Sequence, residues 1–301
     1  MPPQEKESTP SSPSCGRSHE THDHSLSKTY TQPPSTRSKA WTHLNENVRA
    51  SGLAELELLI LTFCIGLQDA VSFPDFHCFA SNQTGNTVFL MLAIVLPEAD
   101  GDMFHTANIG IALGFFLAAA WLTGQLGHVV GARRRCWLVL CNLLQTGLVF
   151  AAAALQYAHQ LPTATSGSGS ESGSSLALDG GRSPSTLWAI GLLAFAAGSQ
   201  VVQARSLRMT EITTAMATAA WVDLMIDPDL LVWRNRGRNR RVGFLGALVL
   251  GSLAGAFIFR RVGSPAALVV SGAGKLLVTG MYLFNPADRP PKVEESAEDS
   301  A

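Results

Sequence analysis

Six apolar runs, each long enough to cross a lipid bilayer, constrain the fold of this chain more than any other feature. They lie at about 53–73, 105–130, 136–157, 186–204, 242–260 and 265–284. A transmembrane α-helix needs about 20 consecutive, mainly apolar residues. The six runs therefore predict an all-α integral membrane protein.

Charged residues are scarce and lie mostly outside these runs. They make up 15% of the 301 residues, whereas soluble domains average about 25%. The formal net charge of −1 gives no indication of nucleic-acid binding. The lipid bilayer is the partner that this composition predicts, while the oligomeric state is left open.

Polar segments divide the chain into five predicted parts. Residues 1–50 are expected to form a disordered cytosolic tail, and 51–158 a first membrane repeat. Residues 159–185 are a Gly/Ser-rich linker, 186–285 a second membrane repeat, and 286–301 a disordered acidic tail. The N-terminal tail lacks the apolar segment of a cleavable signal peptide, so none is expected. Plasma and internal membranes both stay open.

The two predicted membrane repeats contain similar short sequences in the same order. Residues 66–68 align with 198–200, and residues 142–147 align with 275–280. These matches predict an internal duplication of the membrane region.

Two shorter apolar pieces, at about 84–96 and 213–226, leave two topologies open. If both cross the membrane, eight helices span it, and the loops hold six Lys or Arg inside against seven outside. If both are re-entrant half-helices, six helices span it, with ten arginines inside and three outside. The positive-inside rule favours the six-span topology. Three spans in each half give the halves opposite orientations, which is the inverted repeat of many secondary transporters.

Three ionisable residues lie within or near membrane-depth segments: Asp69, Glu211 and Lys275. A charge at the bilayer centre costs at least about 2.5 kcal/mol, so such a residue usually faces an interior site. Two interpretations remain open. Asp69 and Lys275 form a structural ion pair that joins the halves, or Asp69 or Glu211 carries a proton while Lys275 holds a substrate charge.

The starts of the two short helices complete the candidate site. Thr84, Asn86, Thr213 and Thr214 are of residue types that cap helix N-termini. Such N-termini carry a partial positive charge, and Lys275 adds a full one, which favours an anion or a carboxylate moving with a proton. The predicted substrate-binding residues are Asp69, Thr84, Gly85, Asn86, Glu211, Thr213, Thr214 and Lys275.

Two motifs around the first short piece also resemble a known family. G-x-x-D-A matches Gly66, Asp69 and Ala70, and F-x-x-N-x-T-G-N matches Phe79, Asn82, Thr84, Gly85 and Asn86. They resemble the opening of the YoaK-like membrane proteins, called domain of unknown function 1275, and in particular its fungal-type eukaryotic members. Residues 198–205 and 211–214 resemble the family's second half, although Val201 and Val202 replace a small or polar pair. The resemblance covers about 50–285 and implies an integral membrane protein of uncharacterised activity.

The leading functional hypothesis is a secondary carrier for a small anionic solute. The alternative is a membrane scaffold or receptor whose N-terminal tail binds cytosolic partners. A membrane-embedded enzyme is the weakest hypothesis, because the sequence contains no recognisable catalytic motif. No cofactor and no metal site are expected.

Overall fold

The computed structural model describes residues 36–160 and 184–288, apart from Trp233. Its helices are α1 (Thr36–Asn45), α2 (Gly52–Phe76), α3 (Gln83–Val95), α4 (Thr106–Val130), α5 (Arg135–Gln160), α6 (Pro184–Ser206), α7 (Ala217–Met225), α8 (Arg236–Arg261) and α9 (Ser264–Met281). A single 3-10 turn, Pro97–Ala99, follows α3. These described ranges contain no β-strand.

Six of the described helices, α2, α4, α5, α6, α8 and α9, are long and apolar enough to cross a membrane. They coincide with the six apolar runs, which confirms the prediction of an all-α integral membrane protein. In α2 and α6, 61% of the most apolar stretch is buried, against 22% in α4 and α8. The helices α2 and α6 are therefore central, while α4 and α8 expose most of their apolar surface toward lipid.

The helix boundaries differ from those predicted by a few residues, and those of α2 and α8 show why. Helix α2 continues through Pro74 to Phe76, three residues beyond the predicted end of its run. Helix α8 begins at Arg236, six residues before its apolar run, because the Asn235 side chain caps it by accepting the N–H of Arg238 at 3.0 Å. The arginines of this first part of α8 lie at the end of the span, where they reach acidic partners.

The spans pack in pairs that involve both halves of the chain. Helix α2 packs on α8 and α9, helix α6 packs on α4 and α5, and α5 packs on α9. Close approach depends on glycine: a Cβ at Gly66 of α2 would lie 2.6 Å from the carbonyl oxygen of Leu248 in α8. A Cβ at Gly198 of α6 would lie 2.5 Å from the carbonyl oxygen of Phe116 in α4. Glycine thus lets the backbones of each pair come into direct contact.

The N-terminal segment, the α4–α5 turn and the C-terminal segment meet at one end of the bundle. The N–H of Val48 donates to the carbonyl of Arg133 at 2.9 Å, and that of Arg49 to the carbonyl of Pro286 at 3.1 Å. This contact places Arg133 and Val48 at the same end of the bundle. We call this end of the bundle the terminal end.

Buried Arg135 holds the terminal end together. Its guanidinium donates to the carbonyls of Tyr282 at 3.1 Å, His43 at 2.6 Å and Asn285 at 2.5 Å. Residues 36–50, assigned to a disordered tail by the sequence, accordingly form α1 and an extended segment. The sequence pattern missed them because their order comes from contacts with distant segments. Of the predicted linker 159–185, the ends belong to α5 and α6, and residues 286–288 of the predicted disordered tail 286–301 pair with the N-terminal segment. Residues 1–35, 161–183 and 289–301 lie outside the described residues.

Candidate functional site

A lysine lies fully buried where the two halves of the membrane region meet. Lys275 is in α9, and its Nζ donates to the side-chain oxygen of Gln145 in α5 at 3.3 Å and to that of Gln200 in α6. Among the described residues, no carboxylate lies within 4 Å of this ammonium group. The charge is therefore held by neutral amide dipoles alone.

The amides around Lys275 are oriented by their own donors. Gln200 donates its Nε2 to the carbonyl of Leu61 at 3.1 Å. Gln145 donates to the side-chain oxygen of Gln203 at 2.8 Å, and Gln203 donates in turn to the carbonyl of Leu138 at 2.8 Å. Because each Nε2 is committed elsewhere, the oxygens of Gln145 and Gln200 are left to accept from the lysine.

Helix α9 presents a polar stripe because Ser271, Lys275 and Thr279 recur every four residues. Ser271 donates to the carbonyl of Cys64 in α2 at 3.0 Å and accepts from Gln68 at 2.8 Å. Farther along α9, Asn142 of α5 donates to the carbonyl of Lys275 at 2.7 Å and to the hydroxyl of Thr279 at 2.9 Å. Lys275 therefore lies between two buried amide side chains, those of Gln68 and Asn142.

Both of these flanking amides have an unsatisfied oxygen. Oε1 of Gln68 and Oδ1 of Asn142 are buried and accept no hydrogen bond within the part of the chain that the structure describes. Each buried acceptor left unpaired costs about 1–3 kcal/mol. The seam among α2, α5, α6 and α9 thus combines one unneutralised cation with two free acceptors. We call Lys275, Gln68, Asn142, Gln145 and Gln200 the lysine–amide site.

Asp69 belongs to a separate cluster beside the start of α3. Its carboxylate accepts two hydrogen bonds from Ser81, from the N–H at 3.0 Å and from Oγ at 2.5 Å. Nearby, buried Asn86 accepts the N–H of Phe79 at 2.9 Å and donates to its carbonyl at 2.8 Å. The hypothesised Asp69–Lys275 ion pair does not form, because Asp69 is bound by Ser81 and Lys275 by Gln145 and Gln200.

The predicted helix caps are also corrected by the structure. The cap of α3 is Asn82, whose side chain accepts the N–H of Gly85 at 3.3 Å, whereas Thr84 is exposed. Helix α7 starts after Met216 without a side-chain cap, and Thr213 accepts the N–H of Met216 at 3.2 Å. Thr214 is buried in a left-handed conformation with φ 61°. Helix α3 begins one residue before the predicted position 84, and α7 begins four residues after the predicted position 213.

Glu211 lies in an ion-pair cluster at the terminal end. It is 3.4 Å from Arg240, which also binds Glu55 at 2.5 Å, and Glu55 in turn binds Arg236. Glu55 precedes Asp69 by 14 residues of α2, which is about 20 Å along a helix. The ion-pair cluster of Glu211 is therefore far from the Asp69 cluster, and Arg240 neutralises Glu211.

The residues predicted as one site thus occupy three levels of the bundle. Glu211, Thr213 and Thr214 belong to the segment before α7, and Asp69, Thr84, Gly85 and Asn86 lie around the start of α3. Lys275 lies between these levels, because its neighbour Ser271 contacts Cys64 of α2. Sequence analysis missed the glutamines, although amides inside apolar runs were a usable signal.

A metal centre finds no candidate in the described part of the chain. No group of three or more His, Cys, Asp or Glu side chains there could hold a metal ion. Lys275 itself is a cation, and the residues around it supply amide dipoles rather than carboxylates. The lysine–amide site therefore combines one cation with neutral amide dipoles.

Six apolar spans around a buried lysine and its amides define a multi-pass helical membrane protein. The family model described as protein of unknown function (DUF1275) matches residues 58–281, and the chain belongs to this family. The match confirms the family resemblance of the two sequence motifs. No curated protein and no solved structure is significantly similar to the chain.

Proposed function

We propose that the protein is a secondary carrier that moves a small anionic solute across the membrane together with protons. The observation that carries this proposal is Lys275, a fully buried cation without a carboxylate partner among the described residues. A charge at membrane depth is costly, and residues of this kind commonly mark substrate or ion pathways. An anionic solute would supply the missing counter-charge.

An inverted repeat is part of this proposal, and helix packing supports it. Exchanging the halves pairs α2 with α6, α4 with α8 and α5 with α9. Under this exchange the α2–α8 contact becomes the α6–α4 contact, the α2–α9 contact becomes α6–α5, and α5–α9 maps onto itself. Gly66 and Gly198, aligned in the sequence, make the two corresponding close approaches. Three spans in each half then give opposite orientations.

Lys275 lies close to the axis that would relate the two halves. Its aligned partner is Asn142, which donates directly to the Lys275 carbonyl at 2.7 Å. Thr146 donates to the Asn142 carbonyl at 2.7 Å, and Thr279 donates likewise to that of Lys275 at 3.0 Å. Substrate sites of inverted-repeat carriers lie at such a repeat interface, near the bilayer midplane.

Re-entrant courses for α3 and α7 complete the proposed architecture. Asn108 near the start of α4 donates to the carbonyl of Phe76 at the end of α2, at 2.8 Å. The segment that contains α3 therefore begins and ends at the same end of the bundle. Ser81 meets Asp69, seven residues or about 10 Å inward from Phe76 along α2. The chain therefore descends before α3 begins, and α3, with 13 residues, is too short to span comfortably.

Helix α7 has the corresponding position in the second half. Ser206, at the end of α6, donates to the carbonyl of Ala132 in the α4–α5 turn at 3.1 Å. Arg236, at the start of α8, binds Glu55 near the start of α2. Both ends of the α7 segment are thus attached to the terminal end, which supports a short helix that does not cross.

Solute uptake by purified protein in proteoliposomes tests the proposed function. We expect saturable uptake of at least one anion or carboxylate from a broad panel, accelerated by a proton gradient. Empty vesicles and a matched panel of small cations serve as controls. Vesicles that stay tight to every solute would overturn the carrier and favour the membrane scaffold, and uptake of cations alone would overturn the anionic substrate.

A further inference from the structure

We infer that the lysine–amide site is built for a carboxylate that also carries its own hydrogen-bond donors, such as a hydroxy or amino acid, rather than for a simple inorganic anion. The inference rests on the proposed function for the idea that a solute enters the site. It goes further by assigning the chemical class of that solute.

The unsatisfied oxygens of Gln68 and Asn142 are fixed in orientation by the other bonds of these amides. Gln68 uses its Nε2 on the Ser271 hydroxyl, and that hydroxyl donates onward to the carbonyl of Cys64. Asn142 uses its Nδ2 on the carbonyl of Lys275 and the hydroxyl of Thr279. Both amide orientations are therefore fixed by acceptors, and rotating either amide would break these bonds. The remaining oxygens can be satisfied only by an incoming donor.

These two amides contact α9 on either side of the Lys275 position. Gln68 reaches α9 at Ser271, one turn before Lys275, and Asn142 reaches it between Lys275 and Thr279. Gln145, which binds the Lys275 ammonium, lies three residues from Asn142 on the same face of α5. One ligand in the seam would therefore meet a cation flanked on both sides by acceptors.

A ligand that carries both a carboxylate and a hydrogen-bond donor matches this arrangement. A carboxylate group neutralises the Lys275 ammonium, which carries three N–H donors and spends two of them on Gln145 and Gln200. A hydroxyl or ammonium group on the same molecule donates to Gln68 or Asn142. Chloride, nitrate and sulfate carry no donor and would leave both oxygens unpaired. Sites built to pair with a substrate hydroxyl or amine discriminate strongly against analogues that lack it.

Three acids of equal carbon number test the inference directly. Propanoate, 2-hydroxypropanoate and alanine are titrated into the purified full-length protein in lipid nanodiscs, and binding is measured by calorimetry. We expect the hydroxy or the amino acid to bind at least about 10-fold more tightly than propanoate, because a buried acceptor becomes paired. Chloride, nitrate and sulfate complete the panel. Equal affinity for all three acids, or binding of inorganic anions alone, would overturn the inference.

Two variants locate the effect, and a third is a matched control. Gln68→Met and Asn142→Leu each remove one unsatisfied oxygen. The variant that removes the oxygen paired with the acid should reduce the preference for the donor-bearing acid about 10-fold. Asn108 is equally buried and also has an unsatisfied oxygen, but it binds Phe76 outside the seam. Asn108→Leu should leave the preference unchanged. A preference that survives in both seam variants would contradict the assignment even if wild-type protein discriminates.

Binding and flux together separate this inference from the proposed function. Preferential binding of the donor-bearing acid without uptake into proteoliposomes would overturn the carrier and leave the site assignment standing. Uptake of inorganic anions only would leave the carrier standing and overturn the assignment. Absence of both binding and uptake for every probe would overturn both.

Discussion

The Nζ of Lys275 lies 3.3 Å from the side-chain oxygen of Gln145, and this contact joins α9 of the second half to α5 of the first. The partner is a neutral amide, although a buried ammonium gains most from a carboxylate. The bundle therefore keeps an incompletely compensated charge at the junction of its halves. A residue maintained at such a cost is more readily explained by ligand binding than by stability.

We expect Lys275→Met to cost the protein little stability. The variant loses two hydrogen bonds to charge and leaves the Gln145 and Gln200 oxygens unpaired, a combined cost of about 1.5–3 kcal/mol for each bond. It also removes the desolvation penalty of the ammonium, which is several kcal/mol. We expect a free energy of unfolding within about 2 kcal/mol of wild type, measured by denaturant titration in detergent. Leu277→Met, on an exposed part of α9, is the control. A loss above about 4 kcal/mol would assign Lys275 a structural role.

The Asp69–Ser81 contact predicts strong coupling between these two residues. In a double-mutant cycle of Asp69→Asn and Ser81→Ala, the coupling energy should be about 1.5–3 kcal/mol, because the bonds end on a carboxylate. Asp69→Asn and Lys275→Met should instead be additive within about 0.5 kcal/mol, since the two residues share no partner. Both cycles are measured by unfolding in detergent. Strong coupling between Asp69→Asn and Lys275→Met would support an Asp69–Lys275 ion pair and contradict the structure.

The interhelical glycines predict a sharp contrast between two pairs of alanine variants. Gly66→Ala and Gly198→Ala bring a Cβ to 2.6 Å and 2.5 Å from backbone oxygens of the neighbouring span, so each should destabilise by about 1–3 kcal/mol. Gly147→Ala and Gly280→Ala meet no atom within 4 Å and should stabilise by up to about 1 kcal/mol through helix propensity. Thermal unfolding of the four proteins decides, and similar losses in all four would contradict the packing.

The six-span topology predicts which exposed positions a membrane-impermeant thiol reagent can reach. Arg134→Cys at the terminal end should be labelled only after sealed cells are permeabilised, because the positive-inside rule assigns the arginine-rich end to the cytosol. Glu98→Cys, exposed at the opposite end, should be labelled in intact cells, provided that the protein lies in the plasma membrane. The five native cysteines are replaced beforehand. Labelling of both positions from the same side would contradict the topology.

The sequence predicted the spans well because bilayer thickness fixes their length and composition. It could not predict α1, since Thr36–Asn45 is polar and its neighbouring segment is ordered by contacts with Arg133 and Pro286. Its boundary for α8 was late because a hydropathy pattern does not detect a cap such as Asn235.

The candidate site was only partly predictable. Lys275 and Asp69 stood out as charges in apolar runs, but their pairing depends on helix rotation and depth, which a single sequence does not encode. Gln145 and Gln200 are amides inside apolar runs, but their contacts with Lys275 depend on how distant helices pack. The ion pair of Glu211 could not be predicted, because its partner Arg240 lies 29 residues away in the chain.

The central claim, an anion-carrying function centred on Lys275, is tested most directly by uptake into proteoliposomes with three proteins. Wild type, Lys275→Gln and Arg260→Gln are compared for the best anionic solute of the panel. Arg260 is the matched control, because it loses the same charge at an exposed end of α8. We predict at least about a 10-fold loss of uptake for Lys275→Gln, because the bound anion loses a charged partner worth about 1.4 kcal/mol or more. Arg260→Gln should change uptake by less than about 2-fold. Equal effects of the two substitutions on uptake would contradict the account.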